Sequence, residues 1–155
     1  MIILDTNLWV FGTLGTDERP ESLLDEIERG QRLSAINAYV LEEALAAFDR
    51  TPGLTSTERD EIKTRFLTRL TRMAGLLEVP SSHEVSDTLL ADRRRDVHVR
   101  LLGRVLDVQS KDVPVLVLAF FHSEREPTIL TNDASFADLT PADHRVPEIA
   151  ISHCA

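Results

Sequence analysis

The chain has 155 residues, 43% apolar and 28% charged, with a formal net charge of −9; that is enough for one domain spanning 1–155 with a genuine core. No run approaches the roughly 20 apolar residues of a membrane helix. The opening Met1-Ile2-Ile3-Leu4-Asp5 lacks the basic n-region and cleavage site of a signal peptide, so cytoplasmic residence is expected, and the acidity argues against a broad basic surface of the kind that neutralises DNA phosphates.

Along the chain, short apolar runs alternate with longer amphipathic ones, which predicts an α/β fold with a mostly parallel sheet. Ile2-Ile3-Leu4 reads as a central strand buried on both faces. Asp17 to Arg19, followed by Pro20, reads as a helix start, with the helix running through Leu23, Leu24 and Ile27 to Gly30. Arg32 to Ile36 is a second strand, and Asn37 caps a helix over Ala38 to Phe48. Thr51-Pro-Gly stops that helix. Ser56 or Thr57 caps the next, which carries a stripe of Ile62, Phe66, Leu67, Leu70 and Met73. Of these, Ile62, Phe66, Leu70 and Met73 read as core.

Leu76 to Val79 is expected to be a short strand, and Ser82–Ala91 and Val97–Val105 to be helices. Asp112 starts a further helix carrying Val115, Leu116, Leu118, Ala119 and Phe120. Pro127 to Thr131 is a strand, Asp133 opens a turn or short helix with Phe136 inward, and Val146 to Ile151 is a final edge strand.

The acids stand where parallel sheets place chemistry, at the carboxyl ends of strands. Asp5 follows Ile-Ile-Leu and Asp133 follows Thr-Ile-Leu-Thr-Asn, while Glu43 and Asp112 come from apolar helices that must pack on the sheet. Singly, each has a plain reading: Asp5 and Asp133 as turn caps, Asp112 as an N-cap, Glu43 as a solvated residue. Together they suggest a carboxylate cluster, which stays ionised only with cations among it. Hard oxygen donors without His or Cys suit Mg²⁺ or Mn²⁺, and such a site suits phosphate chemistry.

These segments resemble the PIN-domain ribonucleases, especially the toxins of VapBC toxin–antitoxin systems. The resemblance is carried by residues 2–7 (Ile-Ile-Leu-Asp-Thr-Asn), 34–45, 111–119 and 129–136, in the family's order. It implies a three-layer α/β/α fold with about five strands. It also implies single-stranded RNA cleavage with Mg²⁺ or Mn²⁺ held by Asp5, Glu43, Asp112 and Asp133, and supporting roles for Thr6, Asn7, Thr131 and Asn132. An antitoxin partner and a homodimer follow from the same resemblance, with a non-toxin RNA-processing nuclease and a non-catalytic PIN module as alternatives. A groove for an antitoxin helix is then the alternative reading of Ile62, Phe66, Leu70 and Met73. Glu42 competes with Glu43, since adjacent helical residues point about 100° apart and only one can face the site; Asp107 is a lesser rival to Asp112.

Other features carry less. Arg93-Arg94-Arg95 reads as a solvated face, or else as a rim guiding RNA phosphates, extended by Arg100 and Arg104. Aromatic residues make up 5%, so base stacking is not an obvious mode of readout. Cys154 is the lone cysteine and reads as inert, and the five histidines show no zinc spacing. Lys63 and Lys111 are the only lysines; an acidic, Arg-rich chain suits a high-salt cytoplasm or a GC-rich genome equally. Phosphotransfer enzymes of the haloacid-dehalogenase type need a second Asp where Asn7 stands. Receiver domains need an acceptor Asp ending a middle strand, which Leu76 to Val79 does not provide.

Overall fold

A computed structural model describes residues 1–80, 100, 103–104, 107–144 and 149–154. Strands β1 (Ile2–Leu4), β2 (Thr128–Thr131) and β3 (Ala150–His153) form a parallel sheet in that order. Ile3 pairs with Ile129, and Ile129 with Ile151. Parallel neighbours need crossovers, and the whole stretch between β1 and β2 serves as one.

The expected five strands are not all present: three are regular among the described residues. The segments anticipated at Arg32–Ile36 and Leu76–Val79 meet only in a single parallel bridge, Ser34 with Leu76. They still continue the sheet's edge, because Ile2 N–H donates to the Leu33 carbonyl and Leu77 N–H to Ser34, each at 2.9 Å. The segments run too briefly beside one another to complete a ladder, and the outer one has its leucine and valine, Leu77 and Val79, turned to solvent.

Helix α1 (Thr6–Leu14) was not anticipated. Asp5 caps it, and Gly15 closes it at φ +67°, a left-handed conformation that glycine adopts without steric cost. Leu8, Trp9 and Val10 are all buried, so the helix lacks the polar face that gives a readable period. Helices α2 (Glu18–Glu28), α3 (Ala38–Arg50) and α4 (Ser56–Leu70) follow. Asp17 and Asn37 cap α2 and α3 as expected. Thr55, not Ser56 or Thr57, caps α4, in a reciprocal box with Glu58.

Helix α5 (Val113–Phe121) has Pro114 in its first turn, and α6 (Ala134–Ala137) follows β2. Both α1 and α5 pack on β1 and β2, and β1 is buried along its length, which is the covered-on-both-faces arrangement of an α/β layer fold. In the α4 stripe, Phe66, Leu70 and Met73 join the core, Phe66 lying edge-on to Trp9 and Phe48. Leu67 instead points outward, 42% exposed. The stripe is therefore core rather than a partner groove.

The helices expected over Ser82–Ala91 and Val97–Val105 lie largely outside the described residues, as do Arg93, Arg94, Arg95 and the start of the last strand. Among the described residues, no helix is long and apolar enough to cross a membrane.

Candidate functional site

The carboxyl end of β1 opens into a small cleft of about 80 Å³, lined by Asp5, Thr6, Asn7, Glu43, Ala47, Arg50, Lys111 and Asp112. A water's share of liquid volume is about 30 Å³, so the space suits an ion with a few waters rather than a nucleotide. A larger groove of about 740 Å³ runs between α2 and α4, but it shares no residue with this cleft. Charge pairs line that groove, with Arg69 bonded to both Asp25 and Glu28, and this self-neutralised surface offers no reacting group.

Asp5, Glu43 and Asp112 line the cleft, and Asp133 stands beside it, joined to it through Lys111. Asp5 ends β1 and is buried; its Oδ1 accepts Thr6 N–H at 2.6 Å and its Oδ2 accepts the Thr131 hydroxyl at 2.8 Å. Asp133 follows β2. Its Oδ1 caps α6 through the Ser135 and Phe136 N–H groups, and its own N–H donates to Thr131 Oγ1 at 3.0 Å. Its second oxygen, Oδ2, accepts Lys111 Nζ at 3.0 Å. Asp112 precedes α5 but makes no side-chain cap bond, so the ordinary N-cap role does not account for its burial. Glu43 projects from α3, and its Oε2 accepts the Thr6 hydroxyl at 2.8 Å. Glu42 does not line the cleft.

The supporting residues fall in place around these acids. Thr6 touches Asp5 through its backbone and Glu43 through its side chain. Asn7 donates to Asn132 Oδ1 at 3.1 Å at the exposed mouth, and His153 contacts the Asn132 carbonyl at 3.2 Å. Asp107 is exposed at φ +55° and lines a separate depression with Arg100 and Arg104. Neither Asp107 nor Arg100 joins the acid cleft.

Electrostatics register the crowding. Burial first, then the neighbouring carboxylates Asp5, Asp133 and Glu43, push Asp112 up to about 7 against the pull of Lys111. Burial also raises Asp5, opposed by its hydrogen bonds from Thr131 and Thr6. Asp133 goes the other way, held low chiefly by the Lys111 ammonium, which is itself raised by that contact. Among the described residues no three His, Cys, Asp or Glu side chains are gathered tightly enough to hold a metal ion as they stand.

Two residues of the cleft were not anticipated as site residues. Lys111 sits 3.0 Å from Asp133 and 3.9 Å from Asp112, and Arg50, at the end of α3, contributes a second positive group. Lys111 adjoins Asp112 in sequence, and its place among the only two lysines of the chain was the available signal.

No family model and no curated protein matches the sequence. Among solved structures, a chain of VapBC2 from Rickettsia felis, crystallised bound to a DNA fragment from their promoter, is similar over 99% of this chain and 98% of that one, with a TM-score of 0.55 and 17% identity. At that identity the likeness is one of fold.

Proposed function

We propose that the chain, as one PIN-like domain over 1–155, is a Mg²⁺- or Mn²⁺-dependent endoribonuclease and the toxin of a VapBC-like pair. One observation carries the reading: Asp5, Glu43, Asp112 and Asp133, from four separate elements, are tied into one network at the carboxyl ends of two parallel strands by Thr6, Thr131 and Lys111. The VapBC2 likeness supports the pairing with an antitoxin; a homodimer is implied only by the family resemblance of the sequence motifs.

The donor chemistry fits a hard divalent cation. Every candidate ligand is oxygen, and Asp5 and Asp112 are raised chiefly by burial, so a cation beside them would favour their ionised forms. Asp5, Glu43 and Asp112 would hold the ion, with Asp133 joining once its oxygen leaves Lys111. A bound cation would supply Lewis acidity, lowering the pKa of an attacking water and steadying the leaving oxygen.

The chain's own groups do the rest. Thr131 and Thr6 fix Asp5 and Glu43 in single orientations, which limits the reorganisation a ligand set otherwise undergoes. Asn7 and Asn132 present amides at the mouth, where a phosphate oxygen or the attacking water can be hydrogen-bonded. Arg50 offers a cation at the rim for the RNA backbone.

A non-catalytic PIN module is the second reading, favoured by the absence of a ready-made cage among the described residues and by the lysine standing among the acids. A cleavage assay on single-stranded RNA separates the two. The native chain should cut with Mn²⁺ or Mg²⁺ and stop with a chelator, while Asp5→Asn and Glu43→Gln should lose at least about a hundredfold. Equal cutting by Asp5→Asn would end the metal-site proposal, and no cutting or Mn²⁺ binding by folded native protein would favour the module. Co-purification with a small protein from the adjacent gene distinguishes a toxin from a housekeeping RNA-processing nuclease.

A further inference from the structure

We infer that Lys111 is a positioning residue, the resident counter-ion of the acid cleft, which engages Asp133 and must be displaced before a divalent cation can gather the full carboxylate set. This rests on the metal-site reading above and adds to it a competitor built into the chain. Lys111 Nζ bonds Asp133 Oδ2 at 3.0 Å and stands 3.9 Å from Asp112 Oδ1. Its side chain lines the same 80 Å³ cleft as Asp5, Glu43 and Asp112, so the ammonium and an incoming cation draw on one small set of oxygens.

Lys63, the other lysine, pairs with Asp49 and Asp60 on the surface, on α3 and α4. Lys111 differs in what it neutralises: an acid that otherwise completes the site. Its side chain is 40% exposed, so it has a route out to solvent. The ammonium swings away on a flexible four-carbon stem, an exchange that a rigid, forked guanidinium would make less readily. In the metal-free chain this contact offsets part of the carboxylate repulsion; in the loaded chain the same lysine is released beside the cleft.

Mn²⁺ binding to Lys111→Met, Lys111→Arg, Lys63→Met and the native chain, read by the electron paramagnetic resonance signal of the free ion at low salt, tests this. Removing a positive charge about 4 Å from the carboxylates should tighten binding about tenfold or more, while Lys63→Met keeps the native affinity and Lys111→Arg, whose guanidinium leaves less readily, binds more weakly than native. Equal, measurable affinities for Lys111→Met and the native chain overturn the lysine's role and leave the metal site standing. If no variant binds Mn²⁺, the metal site fails and the lysine's role with it.

A second measurement needs no variant. Acetic anhydride labelling of the native protein, read by peptide mass, should show Lys111 reacting faster on adding Mg²⁺ and Lys63 unchanged. A Lys111 rate indifferent to Mg²⁺ at concentrations that saturate binding overturns the displacement.

Discussion

The Thr131 hydroxyl donates to Asp5 Oδ2 at 2.8 Å, joining two residues 126 positions apart in sequence. The same oxygen accepts Asp133 N–H at 3.0 Å, so one fully buried threonine fixes the acids ending both strands. Thr131→Val keeps the shape and removes both contacts. It leaves a buried carboxylate oxygen and a half-buried N–H without these partners, which should destabilise the fold by about 1–3 kcal/mol. The urea midpoint should fall with the slope unchanged, and Mn²⁺ affinity should fall with it. An unshifted midpoint would mean that this bridge contributes nothing net.

The strand before Asp5 was legible because a continuous apolar run ends at that acid, and the strand before Asp133 because Thr128-Ile-Leu-Thr is rich in β-branched residues. Asn37 was legible as a cap for the same kind of reason, a polar residue before a clear helical stripe. Helix α1 was not, since burial on most sides erases the period that marks a helix, and Asp5-Thr-Asn alone reads equally as a turn. The Thr55 box was missed because Ser56 and Thr57 carry the same cap chemistry, and the choice depends on Glu58 reaching back. Lys111 acquires its role from a residue 22 positions away, a pairing no local pattern encodes.

The two adjacent glutamates separate by position. Thr6 Oγ1 donates to Glu43 Oε2 at 2.8 Å, whereas Glu42 is turned from the cleft by the helix's rotation per residue. Under saturating Mn²⁺, Glu42→Gln should cleave RNA within about threefold of native and Glu43→Gln at least about a hundredfold more slowly. The reverse order would transfer the site to Glu42.

Gly75 holds the outer edge against the core. Its N–H donates to the Ile27 carbonyl at 2.9 Å, and a Cβ there would stand 2.1 Å from the Arg32 carbonyl oxygen and 2.8 Å from that of Ile27. Both obstacles are backbone, which cannot rotate aside. Gly75→Ala should therefore cost about 3 kcal/mol or more and lower the melting temperature by about 10 °C. A melting temperature within two degrees of native would show that this edge shifts freely.

Asp112 makes a pH prediction whose sign follows from its raised pKa. Held at about 7 in the fold against 3.8 as its ordinary value, it retains a proton between those limits that the unfolded chain has released. Stability from this group therefore falls as pH rises from 4 to 7 and is flat above. Asp112→Asn carries no charge, and with no cap bond to lose it should match native stability near pH 4 and exceed it above pH 7. After allowance for solvent screening the gain is about 1–2 kcal/mol. Saturating Mn²⁺ should shrink or reverse that gain, because the cation favours the ionised carboxylate that asparagine cannot supply. Metal-free melting curves for the two proteins from pH 4.5 to 8 thus diverge with rising pH. If they stay parallel, Asp112 is as well solvated as a surface carboxylate and the cleft has no shortage of positive charge for a metal to meet.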